Sequence, residues 1–262
     1  MRYPLITLTT DFGLSDHFVG AMKGVISGIA PRARIIDITH EIPPFDILGG
    51  AFVIGQARRT FPAGTIHVVV VDPGVGSPRK PLLVQSAGQF FVGPDNGVFS
   101  FILQENKGQT RHVTGRKYFR HPVSNTFHGR DIFSPVAAHL ACGVPPARFG
   151  KRLDSCVMLE GLEPSPVAEN TWRGTVLKTD RFGNLITNFR QDAFPALEDG
   201  NFELRAGRRR ITRMHSNFSE GRAGGIFLTG GSSGFLEIVM NQDSAARALG
   251  SSAKLPLILK LL

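Results

Sequence analysis

The densest set of chemically useful residues is Val71-Asp72-Pro73-Gly74-Val75-Gly76-Ser77-Pro78-Arg79, where an apolar run ends on an aspartate inside a loop of two glycines and two prolines. Glycine admits backbone angles and close approaches barred to other residues, and proline stiffens the chain. Such a loop can hold Asp72 and Arg79 in mutual contact, either as a turn with its own ion pair or as part of a reactive centre. A second candidate is Asp11, in Thr9-Thr10-Asp11-Phe12-Gly13 after the first strand-like run. The carboxyl ends of strands line the crevice of an open α/β sheet, so Asp11 suits a vicinal diol such as a ribose, or else caps the next helix. His128, in Ser124-Asn125-Thr126-Phe127-His128-Gly129-Arg130-Asp131, titrates near neutrality and can orient or move a proton. Asp131 reads most simply as the cap or first-turn acid of the following helix, and Asp95-Asn96-Gly97 as a tight turn.

The second half adds Thr179-Asp180-Arg181-Phe182-Gly183-Asn184 and Ser232-Ser233-Gly234-Phe235-Leu236-Glu237, with Asn241 beyond. Asp180, Asn184, Ser232 and Ser233 in glycine-rich turns suit a zwitterionic ligand, carboxylate to ammonium and hydroxyl or amide to carboxylate. Turn chemistry accounts for them equally well. The eight histidines have neither HxH nor HExxH spacing, so no metal set emerges. A Walker loop and a GxGxxG fingerprint are also missing from the sequence.

The elements that must position these residues follow from hydrophobic period. Strands are expected at 5–9, 34–38, 66–71, 82–86 and 89–93, with helices at 16–29, 46–60 and 132–141. That order predicts consecutive βαβ units and an N-terminal α/β domain, residues 1–163, with a mostly parallel sheet. Prolines at 164 and 166 predict a linker over 162–166. Short strands at 174–178, 185–188, 202–205, 225–229, 235–240 and 255–261, separated by Gly, Asn and Ser, predict a small antiparallel β-barrel domain over 168–262.

Composition narrows the function classes. The 262 residues are 42% hydrophobic and 19% charged, which fits a folded globular chain and excludes disorder. No apolar run approaches the roughly 18 residues that span a bilayer, so no membrane partner is expected. Met1-Arg2-Tyr3-Pro4 passes directly into strand-like sequence, and a cytoplasmic protein is expected. The two cysteines, Cys142 and Cys156, have no zinc or disulfide spacing. The net charge of +9 raises the possibility of a polyanion partner, but the basic residues are spread over both halves. Their one dense spot, Arg208-Arg209-Arg210 with Arg213, reads as a solvated strand edge or turn. No nucleic-acid partner is expected.

Taken in order, TTDFG, VDPGVGSPR, GPDNG, NTFHGRDIF, TDRFGNLITN and SSGFLEI with Asn241 resemble the S-adenosyl-L-methionine (SAM) hydroxide adenosyltransferase family, hydrolytic relatives of fluorinases and chlorinases. The resemblance implies an α/β domain joined to a β-barrel, a homotrimer with sites between subunits, and hydrolysis of SAM to adenosine and L-methionine. SAM is then a substrate and no cofactor is implied. It also implies a catalytic Asp72–Arg79–His128 triad, a ribose contact at Asp11, an ammonium contact at Asp180, an adenine-side contact at Asn184 and a carboxylate contact at Ser232. Where halogenating relatives carry a halide-binding serine, this chain has Gly129, and Ser233 stands at their arginine. The first departure favours water or hydroxide over halide as nucleophile. The alternatives are a SAM-dependent halogenase and a non-catalytic SAM or nucleoside binder. Phe12, Phe127 and Phe182 are expected to shield a site or to fill a core.

Overall fold

The computed structural model describes residues 3–105, 108–250 and 255–262, and the chain divides into two compact units, Met1–Leu159 and Glu160–Leu262. The N-terminal unit is built on strands β1 (Leu5–Thr10), β2 (Arg34–Thr39), β3 (Ile66–Val70), β4 (Pro81–Ser86), β5 (Gln89–Pro94), β6 (Gln109–His112) and β7 (Arg152–Leu153). They form one sheet in the order β2-β1-β3-β5-β4-β6-β7. The pairings β2-β1, β1-β3 and β3-β5 are parallel, whereas those from β5 outward through β4 and β6 to β7 are antiparallel. The expected βαβ crossovers are helices α1 (Phe18–Ile29), between β1 and β2, and α2 (Ile47–Ala57), between β2 and β3.

Sequence pattern explains these elements. β3 is buried along its whole length and reads as an unbroken apolar run apart from His67, as a central parallel strand requires. α1 buries Val19, Met22 and Ile26 at helical spacing, and Met22 and Ile26 share one core with Ile6, Leu8, Val68 and Phe133. The helix ends at Ile29 because Pro31 follows. Asp46 caps α2 by accepting a hydrogen bond from Gly49 N–H at 3.0 Å. Two further helices are α3 (Ser100–Glu105) and α4 (Ser134–Ala141). The expected helix start at residue 132 is instead a π-helical turn, Gly129–Phe133, leading into α4.

The C-terminal unit contains β8 (Ser165–Ala168), β9 (Thr171–Thr179), β10 (Leu185–Arg190), β11 (Phe202–Ala206), β12 (Arg209–Ile211), β13 (Ile226–Gly230), β14 (Phe235–Met240) and β15 (Pro256–Leu261), with a short helix α5 (Ala245–Leu249). The antiparallel order β12-β11-β15-β9-β10-β14-β13 is nearly closed, because Met214, just past β12, bridges to Leu228 of β13. Alternate residues such as Leu204, Leu236, Ile238, Leu257 and Leu259 point into one apolar core, the period of two that a barrel interior demands. The 162–166 segment is not a linker. Leu162 is buried, and Ser165 and Pro166 belong to β8, an exposed strand paired with β9 where proline's missing N–H is tolerated. The arginine-rich spot is an edge strand as expected: β12 ends the sheet and is reached from β11 through Gly207-Arg208. Among the described residues no helix is long and apolar enough to cross a membrane.

Candidate active site

Asp72 emerges just beyond β3, and the stiff loop that follows returns Arg79 to it. Arg79 Nε donates to Asp72 Oδ1 at 2.9 Å and Nη2 donates to Oδ2, a bidentate pair buried at both ends. Arg79 Nη2 also donates to His128 Nδ1 at 2.6 Å. His128 therefore accepts at Nδ1 and carries its proton on Nε2. Burial lowers the imidazole's pKa and the Arg79 charge lowers it further, against Asp72 and Asp131, so the neutral form that this contact needs is the favoured one. Arg79 Nη1 is buried and finds no acceptor among the described residues. A guanidinium N–H left over in such a pair is a donor for an incoming oxygen.

Backbone detail explains why these three groups meet. Gly76 has φ +79°, and a β-carbon there would lie 2.3 Å from the Asn125 carbonyl oxygen, so only glycine lets the 72–79 loop pack on the loop that carries His128. Asn96 Nδ2 donates to the Val71 carbonyl at 2.8 Å, pinning the chain immediately before Asp72. The DNG segment is thus a tight turn with a second task.

Asp11 is half-buried in the same unit, and its Oδ2 accepts from Phe45 N–H at 2.9 Å. It does not cap α1, whose N-cap is His17. Burial raises the Asp11 pKa, the Phe45 hydrogen bond opposes that, and the charge of Asp72 adds to it, which puts the two aspartates in electrostatic reach. Phe45 was not singled out by sequence pattern. It holds a left-handed φ of 68°, unusual for a residue with a side chain, with its ring 71% exposed. The one local signal for it is the Pro43-Pro44-Phe45-Asp46 turn.

The remaining predicted residues lie in the C-terminal unit, along a cleft of about 1240 Å³ lined by Asp180, Phe182, Asn184, Ser232, Glu237 and Asn241 among others. Asp180 Oδ1 accepts from Phe182 N–H at 2.9 Å and Asn184 N–H at 2.8 Å, and Oδ2 accepts from Asn184 Nδ2 at 2.9 Å. The turn is possible because Gly183 has φ +85°, with its Cα against Ser244. Glu237, quoted in a motif but given no role by sequence, faces the same cleft. Burial raises its pKa and the Asp180 charge raises it further. Ser232 is exposed, whereas Ser233 Oγ and Thr179 Oγ1 are buried without hydrogen-bond partners among the described residues. The structure thus brings Asp72, Arg79 and His128 together with Asp11 in electrostatic reach of Asp72, and in the C-terminal unit it gathers Asp180, Asn184 and Ser232 along one cleft.

The aromatic expectation divides. Phe12 and Phe127 pack with Phe18 at centroid distances of 5.1–6.0 Å in the N-terminal core, whereas Phe182 lines the cleft and is 78% exposed. A β-carbon at Gly129 would lie 3.2 Å from Met22 Sδ and 3.4 Å from the Phe127 ring, so apolar groups already crowd that position.

Comparison with known proteins accounts for both units. Residues 6–150 match the SAM hydroxide adenosyltransferase N-terminal domain and residues 174–257 match its C-terminal domain. The chain belongs to the SAM hydroxide adenosyltransferase family. It is 37% identical over 251 residues to the (R)-S-adenosyl-L-methionine hydrolase of Salinispora tropica, covering 94% of each chain, and 36% identical over 256 residues to that of Methanocaldococcus jannaschii, covering 94% of this chain and 91% of the relative. Similarity to the fluorinase of Nocardia brasiliensis is lower, 28% over 71% of each chain. The fold matches that of an uncharacterized conserved protein from Thermotoga maritima with TM-score 0.89 at 38% identity, over 97% of this chain and 99% of the other.

Proposed function

We propose that this member of the family hydrolyses SAM to adenosine and L-methionine. The observation that carries the activity is similarity through both domains to proteins named as SAM hydrolases. The chemistry is an in-line displacement. A water or hydroxide oxygen bonds to the ribose 5′ carbon, the C5′–S bond breaks, and its electron pair neutralises the sulfonium as a thioether. With water as nucleophile one proton is released; with hydroxide none is. The leaving group departs neutral and needs no general acid or resident cofactor, so alignment is the main requirement, worth up to about 7–11 kcal/mol.

The buried Asp72–Arg79–His128 contact supports the triad roles. Asp72 fixes the guanidinium plane, His128 accepts on one edge, and the spare Nη1–H of Arg79 holds the nucleophilic oxygen. Asp11 suits the ribose hydroxyls, Asp180 the methionine ammonium, Asn184 the adenine side and Ser232 the carboxylate. The family resemblance supports a homotrimer whose sites form between subunits. The relatives' names extend the proposal to the R configuration at sulfur. The two free cysteines support a cytoplasmic setting.

The test is chromatography of adenosine and methionine after incubation with each sulfur epimer of SAM. Adenosine from wild type and none from Asp72→Ala is the expected result. Equal turnover by both would overturn the triad. Light scattering should give a trimer, and mixing Asp72→Ala with Asp180→Ala protomers should restore activity if one site draws on two subunits. A halogenase is disfavoured by the crowding around Gly129, and 5′-halo-5′-deoxyadenosine formed with fluoride or chloride would reverse that judgement.

A further inference from the structure

Asp131 is the first-turn acid of the helical turn Gly129–Phe133, in line with its place in the sequence. Its side chain is fully buried and takes four hydrogen bonds. Oδ1 accepts from Arg130 Nε at 2.7 Å and Arg120 Nη1 at 3.2 Å, while Oδ2 accepts from Arg130 Nη2 at 2.9 Å and Ser124 N–H at 2.9 Å. Its backbone carbonyl accepts from Arg120 N–H at 2.9 Å and its own N–H donates to the Phe127 carbonyl at 3.1 Å. Burial alone would raise this carboxyl, but hydrogen bonds from Arg130 and Ser124, with the Arg130 charge, hold it below the usual carboxylate range. It therefore stays ionised.

An isolated buried charge is costly, and a simple helix cap needs none of this. What the arrangement does is strap two segments together: the 120–124 chain on one side and the π-helical turn on the other. His128 sits at the N-terminal boundary of that turn. Between the two strapped points runs the 124–128 loop, whose Asn125 carbonyl lies against Gly76 of the loop bearing Asp72 and Arg79. π-turns are found frequently at functional sites. Arg130 also lies over the Phe127 ring, 5.0 Å from its centroid, adding a second tie beside His128.

We propose that Asp131 is a positioning residue that holds the 124–128 loop in place and so keeps His128 Nδ1 on the Arg79 guanidinium. As a statement about catalysis this rests on the hydrolase reading. Misplacement of a catalytic group by about 1 Å can cost about 100-fold in rate, so Asp131→Asn should lower kcat by about that factor at most, with KM nearly unchanged, and Asp131→Glu should recover part of it.

A merely structural role is separated by NMR of full-length protein labelled with ¹⁵N-histidine, with His128 assigned by His128→Gln. Wild type should show His128 as a single Nε2–H tautomer. In Asp131→Asn the Nδ1 signal should move toward the mixed-tautomer position. The groups facing His128 are Arg79, Asp72 and Asp131, and removing the last takes away a charge that favours the imidazolium. Its titration should shift further down. Arg120→Ala, which removes a donor whose side chain is 45% exposed, should give a smaller move of the Nδ1 signal toward the mixed-tautomer position and covers the case in which Asp131→Asn does not fold. Unchanged His128 signals in Arg120→Ala and in any folded Asp131 variant would overturn the proposal. If wild type forms no adenosine but these shifts occur, the hydrolase reading fails and the positioning stands.

Discussion

The Asp72–Arg79–His128 cluster of the N-terminal unit and the cleft of the C-terminal unit are built on opposite plans. Around Asp72 the charges are buried, paired bidentately and fixed by loops that admit only glycine at Gly76. Around Asp180 the groups line an open cleft, with Ser232 exposed and hydroxyls of Ser233 and Thr179 left without partners among the described residues. The first plan suits a task that tolerates little motion, the alignment of a nucleophile. The second suits gripping a flexible amino acid that enters and leaves. Substitutions in the two regions should accordingly fail in different ways.

The largest effect is expected from Asp72→Ala, which leaves the Arg79 guanidinium buried and unpaired. Removing one partner of a buried pair costs about 3–5 kcal/mol, and kcat should fall at least about 100-fold. Denaturant titration and adenosine chromatography check both. Arg79→Lys keeps the charge but loses the fork, and should retain stability better than activity. A change in KM alone would break the comparison.

Next in size is an acid effect confined to the N-terminal unit. His67 on β3 is fully buried, 2.7 Å from Thr7 Oγ1 and stacked on Phe91, and burial pushes its pKa down to about 4. Below an unfolded value near 6.5 the unfolded chain takes up a proton that the folded one refuses, so stability is full above pH 6.5 and declines toward pH 4. The loss is about 3 kcal/mol. The single tryptophan, Trp172, lies in the other unit. Circular dichroism should therefore report an acid-shifted transition that Trp172 emission lacks, and His67→Gln should remove the difference.

The two regions were also unequally legible in sequence. The central parallel strands were readable because β3 is apolar apart from His67 and β1 is made of Leu, Ile and Thr, residues that favour strands, and α1 because its buried residues keep helical spacing. β6, β7 and β8 escaped notice because they are only two to four residues long and carry no apolar run or clear alternation. Asp72 and Arg79 could be paired from loop stiffness alone, since their separation is local. His128 joins them across 49 positions of chain, a contact that no spacing rule reaches, and it entered only through family resemblance. Asp131 is legible as a first-turn acid, but its burial is not, because nothing local reveals that Arg120 returns to it.

In the cleft, Asp180→Asn keeps an acceptor for the turn while removing the charge. A hydrogen bond to a charged group is worth about 1.5–3 kcal/mol, so KM should rise about 10- to 100-fold with kcat and melting temperature little changed. Glu237 sharpens this. Because its pKa is raised, it loses its negative charge at a higher pH than an ordinary carboxyl, and affinity for a cation falls as pH drops through that value. KM should climb at the acid end in wild type and climb less in Glu237→Gln. A kcat loss in Asp180→Asn matching that of Asp72→Ala would erase the distinction between grip and alignment.

The smallest effect concerns the outer surface, where the +9 charge resides in groups such as the β12 edge. Arg205 and Arg210 both pair with Glu203 at 2.6 Å, yet their side chains are 65% and 64% exposed. Such exposed pairs contribute little to stability, so Arg210→Ser should change the denaturation midpoint little and kcat/KM not at all. SAM carries a sulfonium and an ammonium against one carboxylate, a net positive charge, so a basic surface retards its approach. Salt that screens the surface within about 8–10 Å should leave kcat/KM level or raise it slightly. A steep fall with salt would mean that the acidic cleft acts at long range and that Asp180 and Glu237 steer the substrate as well as hold it.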